Sequence, residues 1–252
     1  MPGLPPSLLI DGALARITLR RPRLANRLEL EDLRTLRRQL DQINRTPEVR
    51  VLLLEAEGKH FCSGFNIHAA PGVDPGALFE ALADDWEAAR PVTVAAIHGG
   101  IYGGATDLAL ACDFRLGTRA CEMFVPAAKL GLHFYRGGMQ RYVTRLGLSW
   151  AKRVLLACET LDAETMLVSG FLDRLEADAS SLDAAVNVLL QNLLGMAPLA
   201  LLGMKRHLNA IARNTLHEAA LRADLDQANA SQDLAEGLAA WAAKRSPKFE
   251  GR

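Results

Sequence analysis

A mixed α/β architecture giving way to a purely helical tail is predicted by three observations on this 252-residue chain. Short apolar runs of strand length alternate with amphipathic helical stretches through its first two-thirds. From Leu182 to Lys244 only helical periodicity remains. Hydrophobic residues make up 50% of the chain, enough for a sizeable core without metals or disulfides.

The elements follow in order. Residues 8–10 and 15–19 read as strands joined at Asp11-Gly12, a strong hairpin signal. Leu33, Leu36, Leu40 and Ile43 step by three and four, which predicts a helix over 28–43 with one apolar stripe. The run Val51-Leu52-Leu53-Leu54 has no polar interruption, as in a strand buried on both faces. A second helix carries Leu78, Phe79, Leu82 and Trp86, and a strand follows at 92–97. Next come a helix over about 106–111 and a short strand around 114–116. The tail breaks at 195–198, near Asn214 and near Ser231, giving three or four helices. Pro198 suits a first helical turn, where its missing N–H is not needed. Such a tail has little core of its own, so it packs on its own domain or on a neighbouring subunit.

Charge and cysteine usage exclude several classes. Lys+Arg and Asp+Glu both number 29, so there is no net field to gather a polyanion, and no nucleic-acid partner is expected. Cys62, Cys112, Cys121 and Cys158 form no C-x-x-C pair, so no metal site is expected. The start, Met-Pro-Gly-Leu-Pro-Pro, is not a secretory signal, and no run reaches the ~18 apolar residues of a membrane span. The chain reads as cytoplasmic and reduced.

Three loops break the local rules. The first, Lys59 to Ile67, follows a buried strand and contains Ser63-Gly64, a tight turn. The second, Ile97 to Ala109, sets Gly99, Gly100, Gly103 and Gly104 between a strand and a helix. Unshielded amides at a helix start suit an anion or a developing oxyanion. Neither G-x-G-x-x-G nor G-x-x-x-x-G-K-[ST] is present, which argues against a nucleotide. Asp107 lies one turn into that helix. The third, Phe124 to Arg141, is polar and aromatic, with Gly137-Gly138 opening a helix. Each alone also reads as an ordinary loop or, for Asp107, as a first-turn acid favoured by the helix dipole.

Together, their spacing resembles the crotonase superfamily, the enoyl-CoA hydratase/isomerase family. Phe61 to Ile67 looks like F-x-x-G-x-D-I, with Asn66 in place of Asp. Gly103 to Asp113 is similar to the glycine turn and helix ending A-x-x-C-D. Pro126 to Arg141 looks like P-E-x-x-L-G followed by G-G-x-Q-R, and Lys244 to Phe249 is close to K-R-x-P-x-F.

The resemblance implies a spiral of ββα units over residues 1–190 and a helical region, 191–252, that assembles a homotrimer or a dimer of trimers. It implies an acyl-CoA thioester as partner, with no cofactor beyond the coenzyme A of the substrate. The backbone amides of Phe65 and Gly104 take the oxyanion-hole positions. Ser63, Asn66 and Ile67 fall where the adenine is met, and Arg23 and Arg27 are candidates for the phosphates. Asp107 matches the first of two catalytic carboxylates, whereas the second position is Ala127, which cannot hold a water or move a proton. His133, Tyr135 and Arg136 lie where a further acid can stand, and His133 and Tyr135 are the candidate proton donors. His68 and His98 read as structural. Hydration, dehydration or isomerisation of an enoyl-CoA is therefore the first expectation. Decarboxylation or hydrolysis of a CoA thioester is the second, and a non-catalytic acyl-CoA-binding trimer the third.

Overall fold

The computed structural model describes residues 3–66 and 74–252. Among these residues the main sheet has six strands in the order β1-β2-β3-β4-β6-β9, and a smaller sheet has the order β5-β7-β8. Strands β1 (Leu4–Asp11) and β2 (Leu14–Arg20) form the expected antiparallel hairpin, turning at Gly12 with φ +54°. Strand β1 runs further than predicted, because an edge strand tolerates Pro5 and Pro6 where a central one would not. A register shift between Leu4 and Ser7 absorbs them.

The centre is parallel. Strand β3 (Val51–Ala56) pairs with β2 and with β4 (Val92–Ile97), and β4 pairs with β6 (Phe114–Thr118). Val51 to Leu54 and Val92 to Ile97 are buried throughout, which explains the unbroken apolar run of β3 and the nearly apolar run of β4, interrupted only by Thr93. Strand β9 (Arg174–Glu176) closes the sheet. Helix α1 (Leu30–Asn44) buries Leu33, Leu36, Leu40 and Ile43, the stripe read from the sequence. Each such side chain contributes roughly 1.5–3 kcal/mol. Helix α2 (Pro75–Glu87) starts at Asp74, whose carboxylate accepts the amides of Gly76 and Ala77. Trp86, at 0% exposure, anchors it in the same core.

The smaller sheet was not foreseen. Strands β5 (Ile101–Tyr102), β7 (Glu122–Phe124) and β8 (Leu161–Asp162) are two or three residues long, too short to show a period. Helix α3 (Gly104–Leu110) begins two residues earlier than expected, directly after Gly103. Helix α4 (Arg136–Leu155) is long and kinks at Gly147, with α5 (Ala163–Val168) after β8.

The tail divides into α6 (Ala179–Leu194), α7 (Pro198–Ala212), α8 (Glu218–Asn229) and α9 (Gln232–Ala242), broken where the sequence predicts. Helix α6 covers the far face of the sheet in a second core with Val51, Leu53, Val92 and Val94. Helix α7 is pinned by Lys205, whose ammonium reaches the Pro91 carbonyl at 2.5 Å and Asp113 at 2.8 Å. Helix α8 buries no residue. Trp241 on α9 is 87% exposed, with Leu238 exposed beside it.

Candidate active site

Parallel pairing of two loops builds the site. The Phe61 amide donates to the Gly100 carbonyl at 3.0 Å, and the Tyr102 amide to the Cys62 carbonyl at 2.9 Å. The next residues are held from outside. The Leu28 amide donates to the Gly64 carbonyl and the Asn66 amide to the Leu28 carbonyl, so the N–H of Phe65 faces away from Leu28. The Gly103 amide is fixed on the Phe124 carbonyl at 2.9 Å. A side chain on Gly64 would meet the Tyr102 carbonyl oxygen at 2.8 Å and the Gly104 nitrogen at 3.5 Å. With φ +91° as well, only glycine fits there. The amides of Phe65 and Gly104 are thus neighbours. Among the described residues, neither has an acceptor.

One turn beyond Gly104, Asp107 is 0% exposed on a helix that is buried along its length. Both of its oxygens are engaged. The Arg141 guanidinium, also 0% exposed, donates through Nε to Oδ1 at 2.8 Å and through Nη2 to Oδ2 at 2.6 Å. The Tyr135 hydroxyl donates to Oδ2 at 2.8 Å. Burial, then the Asp107 charge, pushes the Tyr135 phenol far above its ordinary range, so it is a neutral donor. Burial alone would lower Arg141, but its bonds to Asp107 and Asp84 prevail and hold it charged. Tyr135 stacks on Phe134 at 4.8 Å, and Phe134 meets Tyr142 edge-on.

The two glycines that open α4 have separate reasons. A side chain on Gly137 would strike the Asp84 carboxylate at 2.5 Å. One on Gly138 would strike the Phe134 ring at 2.4 Å and the Tyr135 ring at 2.7 Å. The Gly-Gly pair therefore seats the phenol and the acid that meet around Arg141.

The other candidates fall in different places. Ala127 is half-buried at the start of a 3-10 turn, packed against the core. His133 is exposed, its Nδ1 within 2.7 Å of the Phe134 carbonyl, and the structure does not bring it to Asp107. Arg136 is exposed at the first position of α4. Ser63 spends its amide on the Ala25 carbonyl and its hydroxyl on the Leu24 carbonyl. Asn66 donates to Glu29 at 2.8 Å, and Glu29 also holds Arg27 at 2.8 Å, so Arg27 is already paired. Arg23 is exposed beside Pro22. Ile67 and His68 lie outside the described residues, and the His98 ring contacts the Gly58 carbonyl. Among the described residues, no group of three metal-ligating side chains is present.

Comparison with known proteins decides the family. The model of the enoyl-CoA hydratase/isomerase family matches residues 10–252. The chain belongs to that family. A carnitinyl-CoA dehydratase of Citrobacter koseri is 30% identical over 256 residues, covering 96% of each chain. The peroxisomal Delta(3,5)-Delta(2,4)-dienoyl-CoA isomerase of Arabidopsis thaliana is 26% identical, covering 95% of this chain and 93% of its own. Among solved structures, an enoyl-CoA hydratase/carnithine racemase of Magnetospirillum magneticum superposes with a TM-score of 0.90 at 26% identity, over 98% and 96% of the two chains. The fold is therefore the crotonase fold.

This family member carries a site group that the sequence reading did not single out. Arg141 was visible within the G-G-x-Q-R motif, but its acidic partners were not. Asp84 and Glu87, three apart on α2, face Arg141 and Arg145, four apart on α4. That matched spacing, acids on an otherwise apolar helix and arginines in the first half of another, was the available signal.

Proposed function

We propose that this enoyl-CoA hydratase/isomerase family protein binds an acyl-CoA thioester, places the thioester oxygen between the amides of Phe65 and Gly104, and stabilises the enolate there. The observation that carries this reading is the pair of neighbouring N–H groups without an acceptor among the described residues. An enolate concentrates charge on oxygen, and two fixed donors need no reorganisation to receive it. Removing one such donor costs roughly 3–4 kcal/mol of transition-state stabilisation. The chemistry so proposed uses donors and acids of the chain itself and no cofactor beyond the coenzyme A of the substrate.

The acid/base role falls to the Asp107–Tyr135 pair. Tyr135 is the proton donor, and Asp107 receives or returns the proton through it. Ala127 leaves no second carboxylate, which weakens ordinary two-carboxylate hydration and simple double-bond migration alike and leaves the acid/base work to the Asp107–Tyr135 pair alone. Ser63 and Asn66 are the candidates for the adenine end, and Arg23 is the candidate for a phosphate contact. The exposed apolar side chains Leu238 and Trp241 support assembly through the C-terminal helices into a trimer or a dimer of trimers.

A second reading is favoured by the Arg141 clamp. A carboxylate held by two charge-assisted bonds is a poor base. Decarboxylation of a malonyl-type thioester needs no base, only an oxyanion hole and a donor to protonate the enolate. Incubation with crotonyl-CoA and with methylmalonyl-CoA, each followed by mass and by proton NMR of the acyl group, separates the two. A mass gain of water or a shifted double bond on the first supports the leading reading. Loss of carbon dioxide from the second supports the alternative. Retained binding of both with no turnover leaves a non-catalytic acyl-CoA-binding protein.

A further inference from the structure

Asp107 is one end of a longer charged chain. Arg141, gripping it with Nε and Nη2, turns Nη1 to Asp84 at 2.6 Å and Glu87 at 3.3 Å. Both acids are shared with Arg213, the C-cap residue just after α7. Its Nη2 donates to the same Asp84 oxygen at 2.8 Å, and its Nε to the same Glu87 oxygen at 2.6 Å. Arg145 completes Glu87 at 3.3 Å. The guanidiniums of Arg141, Arg145 and Arg213 thus face the carboxylates of Asp84, Glu87 and Asp107, and their charges cancel only while each is in place.

We propose that Arg213 is a positioning residue for Asp107: by holding Asp84 and Glu87, it leaves Arg141 free to face Asp107, and so couples the C-terminal helix α7 to the candidate acid. The inference rests on the acid role proposed above for Asp107 and Tyr135. Its physical basis is competition for one cation. Arg141 and Arg213 bond the same oxygens, so loss of Arg213 leaves two α2 carboxylates with a charge to spare. That charge draws Arg141 towards α2, most strongly at Glu87, which is buried like Arg141 and little screened by water, whereas Asp84 is partly exposed. Asp107 then keeps Tyr135 but loses part of its two-point contact.

A double-mutant cycle tests this without any substrate. Arg213→Gln, Asp107→Asn and the double variant are compared with the intact chain by urea unfolding. Residues joined only through packing of separate elements contribute additively. Coupling through Arg141 instead makes Asp107→Asn less costly once Arg213 is gone, by about tenfold in the unfolding constant. Additivity within about twofold overturns the proposal.

A kinetic arm needs no Asp107 variant. On an acyl-CoA that the intact protein turns over, Arg213→Gln should lower kcat about tenfold with KM little changed, as expected for a displaced group. Arg213→Lys, which keeps the charge, should recover part of it. A loss confined to KM overturns the proposal. If the intact protein turns over no acyl-CoA, the functional reading fails, while the unfolding cycle still judges the Arg213 link.

Discussion

The two sides of the candidate site are built on opposite terms. On one side, the amides of Phe65 and Gly104 are locked in place by neighbouring backbone bonds yet have no acceptor among the described residues. On the other, both oxygens of Asp107 are filled by Arg141 and Tyr135. An amide that is rigid and unpaired is available to a ligand. A carboxylate that is buried and saturated is first a structural group, and any chemistry it performs has to pass through a partner. The contrast teaches that position in a motif and availability for chemistry are separate properties, and the glycine side is the firmer half of the reading.

The strongest way to break the contrast is Arg141→Met. It removes the cation between three carboxylates and leaves Asp107 buried with only a phenol beside it. Breaking a buried pair from one side costs about 3–5 kcal/mol, so the urea midpoint should fall far below that of the intact chain. A loss under about 1 kcal/mol would mean that the Arg141 ion pairs contribute little to the fold. The amide side is probed by Gly104→Pro, which deletes one donor. Proline is tolerated at a first helical position, though its ring meets Phe79 at about the 3.0–3.2 Å at which a Cβ would lie. Made with Phe79→Leu to give room, and compared with that single variant, it should lower kcat by about 10²–10³ with the fold kept. Unchanged turnover would remove the oxyanion proposal.

Tyr135→Phe sharpens the comparison. It frees one lone pair of Asp107 but leaves the Arg141 bonds intact. The stability cost should be about 1.5–3 kcal/mol, that of one hydrogen bond to a charged group. If Tyr135 is the proton donor, kcat drops by about a hundredfold. Equal small losses in both would assign Tyr135 to the architecture alone.

How much of this was legible follows from what each element needs. The hairpin at Gly12, the α1 stripe, the buried runs of β3 and β4 and the four tail helices are periodic or punctuated over many residues, and the sequence shows them. Strands β5, β7 and β8 carry no period, and they exist only because other chains of backbone pass beside them. In the site, Gly64, Gly104 and Asp107 stand at motif positions that local chemistry explains. The partners of Asp107 do not, because Arg141 lies 34 residues away and Arg213 is linked to Asp84 across 129. His133 and Tyr135 look alike in sequence, two residues apart in one loop. Only folding separates them, turning the phenol in and leaving the imidazole outside.

The smallest effect concerns Asp84, one of the two acids that link the buried cluster to Arg213 at the end of α7. Burial opposes its ionisation, but hydrogen bonds from Arg141 and Arg213 outweigh that and hold its carboxyl below the ordinary value of 3.8. A depressed folded value means that its contribution is complete above 3.8 and is lost as the pH falls through the lower folded value. Asp84→Asn removes the contribution at every pH. The gap in urea midpoint between the two proteins should therefore be widest near neutrality and narrow on acidification past 3.8. Because 42% of the Asp84 side chain is exposed, water screens the pair and the gap stays modest. A gap that held constant through the acid range would mean that Asp84 acts by shape rather than charge, and the charge balance invoked for Arg213 would fail with it.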